Sequence, residues 1–165
     1  GLPNAGKSTL LSHLTNARPK IAPYPFTTKI PMLGMLYADD EQIILADIPG
    51  IIEGASEGSG LGLRFLKHIN RCLGIAFLID LSDDSYRETF KLLLNEMRQY
   101  SEELARKDRI IIGTKTDLDG TKERFEELKA DLSEETLVGV SAFSYEGTET
   151  LKGALLELYR KGKEG

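Results

Sequence analysis

Tryptophan is absent and cysteine occurs once, at Cys72, so no internal disulfide can form. The Arg-Cys-Leu-Gly context reads as a small core residue at a helix end. Histidine occurs twice, and no Cys/His cluster exists, which excludes a structural zinc site. No apolar run approaches the ~20 residues of a spanning helix. No signal-peptide pattern opens the chain, so a cytoplasmic setting without membrane contact is expected. Internal repeats and domain-sized linkers are also missing. The formal net charge of −5 offers no general attraction for bare nucleic acid. An RNA-containing partner would have to be met by a local patch or by other parts of the molecule.

What is present suits one soluble domain: 165 residues, 41% hydrophobic and 28% charged, are enough to bury a single core. A monomer is the default. Short runs rich in Ile, Leu and Val predict strands over Met32–Tyr37, Gln42–Asp47, Ile75–Asp80, Arg109–Gly113 and Leu137–Val140. Longer amphipathic runs predict helices over Lys7–Asn16, Leu63–Asn70, Tyr86–Arg106, Lys122–Leu132 and Thr148–Arg160. In the third, Phe90, Leu93, Leu94, Met97 and Leu104 share one face, and Asp83 or Asp84 is the expected cap. The alternation argues for an α/β fold with a mostly parallel central sheet flanked by helices. Ala-Asp-Asp-Glu between the first two strands is short enough for an antiparallel hairpin.

Gly1-Leu2-Pro3-Asn4-Ala5-Gly6-Lys7-Ser8 matches G-x-x-x-x-G-K-[ST], the phosphate-binding loop of P-loop nucleotide hydrolases. Glycine lets backbone N–H groups turn inward and approach phosphates closely, and the helix that follows directs its positive end at the same anion. Lys7 supplies a point charge for the β and γ phosphates and Ser8 a hydroxyl for magnesium. Such a loop normally follows a buried strand, yet Gly1 is the first residue. The expectation is a chain trimmed of that strand.

Three further motifs point to guanine. Asp47-Ile48-Pro49-Gly50 ends an apolar strand, where the carboxylate can reach magnesium through a water and the Gly50 N–H can meet the γ-phosphate. Thr114-Lys115-Thr116-Asp117 resembles Asn-Lys-x-Asp, with threonine in place of asparagine. Asp117 can accept from the guanine ring N–H and amino group, a donor pair that adenine lacks. The Lys115 stem can lie along the base. The shorter Thr114 is expected to tie the base loop to the phosphate loop less well. Ser141-Ala142-Phe143 follows the last strand, placing the Ala142 N–H for the guanine carbonyl. The proline-rich stretch Arg18–Pro31, with Phe26, Thr27, Thr28, Lys29 and Ile30, is held extended and reads as a first switch in which a threonine completes the magnesium shell.

These motifs, Tyr-Pro-Phe-Thr-Thr at 24–28 and the run from Asp47 through Ile69 resemble the Obg family of GTPases. The resemblance implies one G domain over residues 1–165 without the flanking family domains, Thr28 as the switch threonine, a bacterial cytoplasmic protein acting in large ribosomal subunit assembly, and sensitivity to guanosine tetraphosphate. It implies GTP as substrate, with Lys7, Thr28 and Gly50 acting on the transferring phosphoryl group. Ras-like GTPases carry a glutamine after Asp-x-x-Gly; Ile51 stands there and cannot orient water, so slow hydrolysis is expected. Asn4 is a candidate potassium ligand, the alternative being a solvated loop residue. Glu53 and Glu57 read as solvated, and His13 and His68 as packing or surface residues. A guanine-nucleotide or alarmone sensor, with hydrolysis incidental, is the competing reading. The related YchF-like ATPase branch departs from an Asp117-type guanine reader.

Overall fold

The computed structural model describes residues 1–2, 5–15, 20–21, 32–47 and 69–165. The order is α1 (Lys7–Thr15), β1 (Lys20–Ile21), β2 (Met32–Ala38), β3 (Glu41–Asp47), β4 (Ile75–Asp80), α2 (Tyr86–Tyr100), α3 (Glu102–Ala105), β5 (Arg109–Thr114), α4 (Thr121–Asp131), β6 (Leu137–Gly139) and α5 (Thr148–Glu164). The predicted helix over Leu63–Asn70 lies outside the described residues except for its last two.

The hairpin forms as expected, but its loop has two residues rather than four, because Ala38 and Glu41 already pair across it. Asp39 takes the left-handed conformation that such tight turns demand, with φ 51°. Along the strands Leu36 and Ile43 face each other and are buried, whereas Tyr37 and Ile44 point to solvent. The two-residue β1 pairs antiparallel with β2, an element too short for periodicity to reveal.

Strands β4, β5 and β6 form a parallel sheet with β5 in the centre. Ile110–Thr114 is buried throughout, the continuous run expected of a strand covered on both faces. Alternating side chains serve two cores. Phe77, Ile79 and Ile111 meet Phe90 and Leu93 of α2, Leu104 of α3 and Leu128 of α4. Leu78, Ile110, Ile112 and Val138 meet Leu10 and Leu14 of α1 and Leu151 and Leu155 of α5, and this second core extends to Leu36 and Ile43 of the hairpin. β3 and β4 belong to separate hydrogen-bonded sheets among the described residues, so α1 and α5 are what join the hairpin to the parallel sheet.

Two helix expectations need correction. The predicted helix Tyr86–Arg106 breaks at Ser101, whose backbone is extended (φ −159°, ψ 117°) and whose Oγ accepts the Leu104 N–H at 3.2 Å. Serine is a strong N-cap, and here it starts a new helix within an apolar pattern that runs on unbroken. Neither aspartate caps α2. Ser85 precedes it without a side-chain cap, the Asp83 carboxylate accepts the Ser85 N–H, and Asp84 pairs with Arg124 at 2.9 Å. Cys72 packs half-buried against the α2 core, and burial pushes its thiol up from its ordinary value, as befits an inert packing residue.

The register Asp80↔Thr114 and Gly113↔Gly139 brings the carboxyl ends of the parallel strands level. The loops that leave them therefore stand side by side, the usual place for a ligand in an open α/β sheet.

Candidate nucleotide site

The phosphate loop packs on β4: a Cβ added to Gly1 would stand 3.2 Å from Leu78 Cβ. The Ala5 N–H returns to the Leu2 carbonyl at 3.2 Å, and Ala5 is buried. Gly6 has φ 95° with open space around its missing Cβ, so glycine is required there by conformation and not by room. α1 then begins at Lys7 with no acidic residue in its first turn to neutralise its positive end.

The hairpin delivers Asp47 to this point. Ser8 Oγ donates to Asp47 Oδ2 at 3.3 Å, and Lys7 Nζ lies 3.6 Å from Asp47 Oδ1. Asp47 Oδ1 is buried and has no hydrogen-bond partner among the described residues. A hydroxyl and an under-coordinated carboxylate suit magnesium, which takes one or two protein oxygens and fills its octahedron with phosphate and water. No group of three metal-ligating His, Cys, Asp or Glu residues exists among the described residues.

Thr114, at the end of β5, is buried. Its Oγ1 lies 3.1 Å from the Ala5 carbonyl oxygen and 3.3 Å from the Ile79 carbonyl oxygen. The shorter side chain therefore does reach the phosphate loop. Lys115 adopts φ 67°, and its ammonium meets Asp80 Oδ2 at 2.6 Å. Burial works against the Asp80 charge, but the Lys115 ammonium and the Ser82 hydroxyl and amide outweigh it and hold the carboxyl below its usual range. The Thr116 N–H bonds the Val140 carbonyl at 3.2 Å, stitching this loop to the next.

Asp117 is oriented from that second loop. The Ser141 hydroxyl donates to Asp117 Oδ1 at 2.7 Å and accepts the Ser144 N–H at 3.0 Å. Ser141 itself is fully buried, and its N–H is held by the Glu146 carbonyl at 2.9 Å. Ala142 is partly exposed and Phe143 is 87% exposed. Further on, Tyr145 has φ 62° and lays its ring against His13, with centroids 4.7 Å apart and planes inclined at 42°.

These loops enclose one cavity of about 510 Å³, lined by Ala5 and Gly6, by Thr114, Lys115 and Asp117, and by Ala142. Its size is that of a small-molecule site. His13 and Tyr145 line it too. Sequence reasoning treated His13 as a packing or surface residue and overlooked Asp80 and Tyr145. A carboxylate directly across the parallel ladder from Thr114 was the available signal for Asp80; His13 had none. Of the sequence candidates, Pro3, Asn4, Phe26, Thr27, Thr28, Lys29, Ile30, Ile48, Pro49 and Gly50 lie outside the described residues, as do Ile51, Glu53, Glu57 and His68.

A phosphate loop on a parallel sheet, facing a guanine-type base loop, defines a P-loop GTPase fold, and the chain belongs to the family of 50S ribosome-binding GTPases, whose model matches residues 1–115. Within it the Obg resemblance is borne out. The chain is 60% identical to GTPase Obg of Treponema denticola over 159 residues, 96% of this chain and 42% of that one. It is 48% identical to GTPase Obg of Treponema pallidum (strain Nichols) over 163 residues, 98% of this chain and 43% of that one. The chain thus spans less than half the length of these curated relatives. Among solved structures, the G domain of the T. maritima FeoB iron transporter has the same fold, with a TM-score of 0.72 at 24% identity, covering 96% of this chain and 94% of that one.

Proposed function

We propose that this chain is the guanine-nucleotide-binding part of an Obg-type GTPase that binds GTP and GDP with magnesium and hydrolyses GTP slowly. The observation that carries the proposal is the joint between the two recognition loops. Thr114 ties the base loop to Ala5 of the phosphate loop, and Ser141 aims Asp117 into the same cavity. One ligand with a phosphate tail and a purine head spans both.

In this reading the Gly1–Ser8 amides wrap the phosphates and Lys7 neutralises the β and γ groups. Ser8, Asp47 and Thr28 hold magnesium, Asp47 through a water. When bound, that ion neutralises charge on the phosphate oxygens. The Gly50 N–H meets the γ-phosphate, and Asp117 and the Ala142 N–H read guanine. Ile51 cannot orient water, so another group must do so. Asn4 remains the candidate ligand for a potassium ion that would stabilise the developing charge. By resemblance, the setting is the bacterial cytoplasm and the partner the large ribosomal subunit, with guanosine tetraphosphate as a competing ligand.

Single-turnover GTP cleavage tests this directly. Hydrolysis should require magnesium, run faster in potassium than in sodium, and accelerate with large subunits. Equal rates in the two salts would discard the Asn4 role. No acceleration by subunits would favour a sensor in which hydrolysis is incidental.

A further inference from the structure

We propose that Tyr145, through its ring contact with His13, is a positioning residue that holds the loop between β6 and α5 against α1 and slows escape of the bound nucleotide. The inference deepens the nucleotide reading above and rests on it.

A costly backbone is the first observation. Tyr145 has φ 62°, in the left-handed region where a bulky aromatic is rare. Glycine or asparagine would hold the same turn with less strain. Tyr145 is 61% exposed, and its chain neighbours Ser144 and Glu146 are exposed too. A side chain so exposed gains little from burial to set against the strain. Strain of this kind persists where the surroundings enforce it, and it clusters at ligand sites. The outlier therefore points to a task beyond the turn itself.

The position of the ring supplies that task. Tyr145 lines the cavity together with Ala142 of its own loop and with Leu10 and His13 of α1. The two elements meet where the rings touch, with centroids 4.7 Å apart and planes inclined at 42°, the range of an attractive aromatic pair. Elsewhere the loop is tied at its root. The Ser141 N–H bonds the Glu146 carbonyl, and the Ser141 hydroxyl accepts from Ser144 and donates to Asp117. At its end Gly147 lies against the Gly139 carbonyl. None of these contacts reaches α1; the ring pair does. It joins the loop that orients Asp117 to the helix that carries Lys7 and Ser8. A ligand that bridges loop and helix leaves when they part. A tie between them slows that step and leaves diffusional entry alone.

Stopped-flow exchange of fluorescent GDP on the full chain with magnesium, read beside thermal melts, tests this. Tyr145→Asn removes the ring and suits the left-handed backbone. Release should quicken about three- to tenfold, the worth of an aromatic pair, with association within about twofold of the parent and a midpoint no lower. Tyr145→Phe keeps the ring and should release at the parental rate. Adding His13→Ala to Tyr145→Asn should quicken release no further, because the contact is already gone. Parental release in Tyr145→Asn overturns the proposal. So does faster release with a lowered midpoint, the mark of a ring that only packs. Faster release in Tyr145→Phe, or a further gain on adding His13→Ala, overturns it as well. A parental chain that binds no GDP would instead bring down the nucleotide reading and this inference with it.

Discussion

The Thr114 hydroxyl sits 3.1 Å from the carbonyl oxygen of Ala5, so the loop proposed to face the base and the loop proposed to face the phosphates share a buried hydrogen bond. Thr114→Val keeps the shape and removes the donor, stranding a buried carbonyl. The expected cost is about 1–3 kcal/mol of stability, with faster release of GDP. Thr114→Ser keeps the hydroxyl and should stay near the parent. Urea denaturation and a chase of fluorescent GDP check both. A valine variant with parental stability and parental release would show that the bond does not couple the loops.

Asp117 depends on Ser141 for its aim. Asp117→Asn exchanges an acceptor for a donor, so GDP should weaken by roughly a hundredfold or more while xanthosine diphosphate, which presents an oxygen in place of the amino group, gains. Ser141→Ala removes only the 2.7 Å bond that orients the carboxylate. About 1 kcal/mol, roughly fivefold in affinity, is expected, with guanine still preferred. Competition binding with the two nucleotides reads both outcomes.

The Asp80–Lys115 pair predicts a dependence on pH. The Asp80 carboxyl is held below its ordinary value in the folded chain. Its contribution is therefore complete above the unfolded carboxylate value and is lost as pH falls toward the folded one. Asp80→Asn should lower the denaturation midpoint at neutral pH and flatten the decline on the acid side. Lys115 is 37% exposed in its side chain, so solvent screening keeps the effect modest. An acid limb identical in the variant would remove Asp80 from the account.

Gly147 and Gly120 share φ 79° but differ in surroundings. Gly120 has nothing within 4 Å of an added Cβ, and Gly120→Ala should cost only the conformational term, about 1 kcal/mol. A Cβ at Gly147 would run into the Gly139 carbonyl oxygen. Gly147→Ala should therefore cost more than about 3 kcal/mol, and it should disturb the loop that carries Ser141. Equal midpoints in thermal melts would contradict the close packing of that turn on β6.

Much of this was legible from local chemistry. Residue types alone singled out Lys7, Ser8, Asp47 and the Thr114–Asp117 motif, and the structure brings Asp47 to Lys7 and Ser8 and Thr114 to Ala5. The strands of the parallel sheet were equally plain, because burial on both faces leaves runs such as Ile110–Ile112 without polar interruption. The break at Ser101 was hidden because the apolar period continues through Leu104, and a cap is a backbone event that periodicity does not record. His13 was hidden for a different reason. It lines the cavity through a ring contact with Tyr145, far away in the chain, which a helical pattern does not reveal.

Calorimetric titration of the full chain with GDP and with ADP, both with magnesium, bears most directly on the claim that this cleft reads guanine while gripping phosphate. GDP should bind with micromolar affinity or better, and ADP at least about a hundredfold more weakly, because adenine leaves the Asp117 carboxylate without its two donors. Comparable affinities for the two, or no heat with GDP, would contradict it.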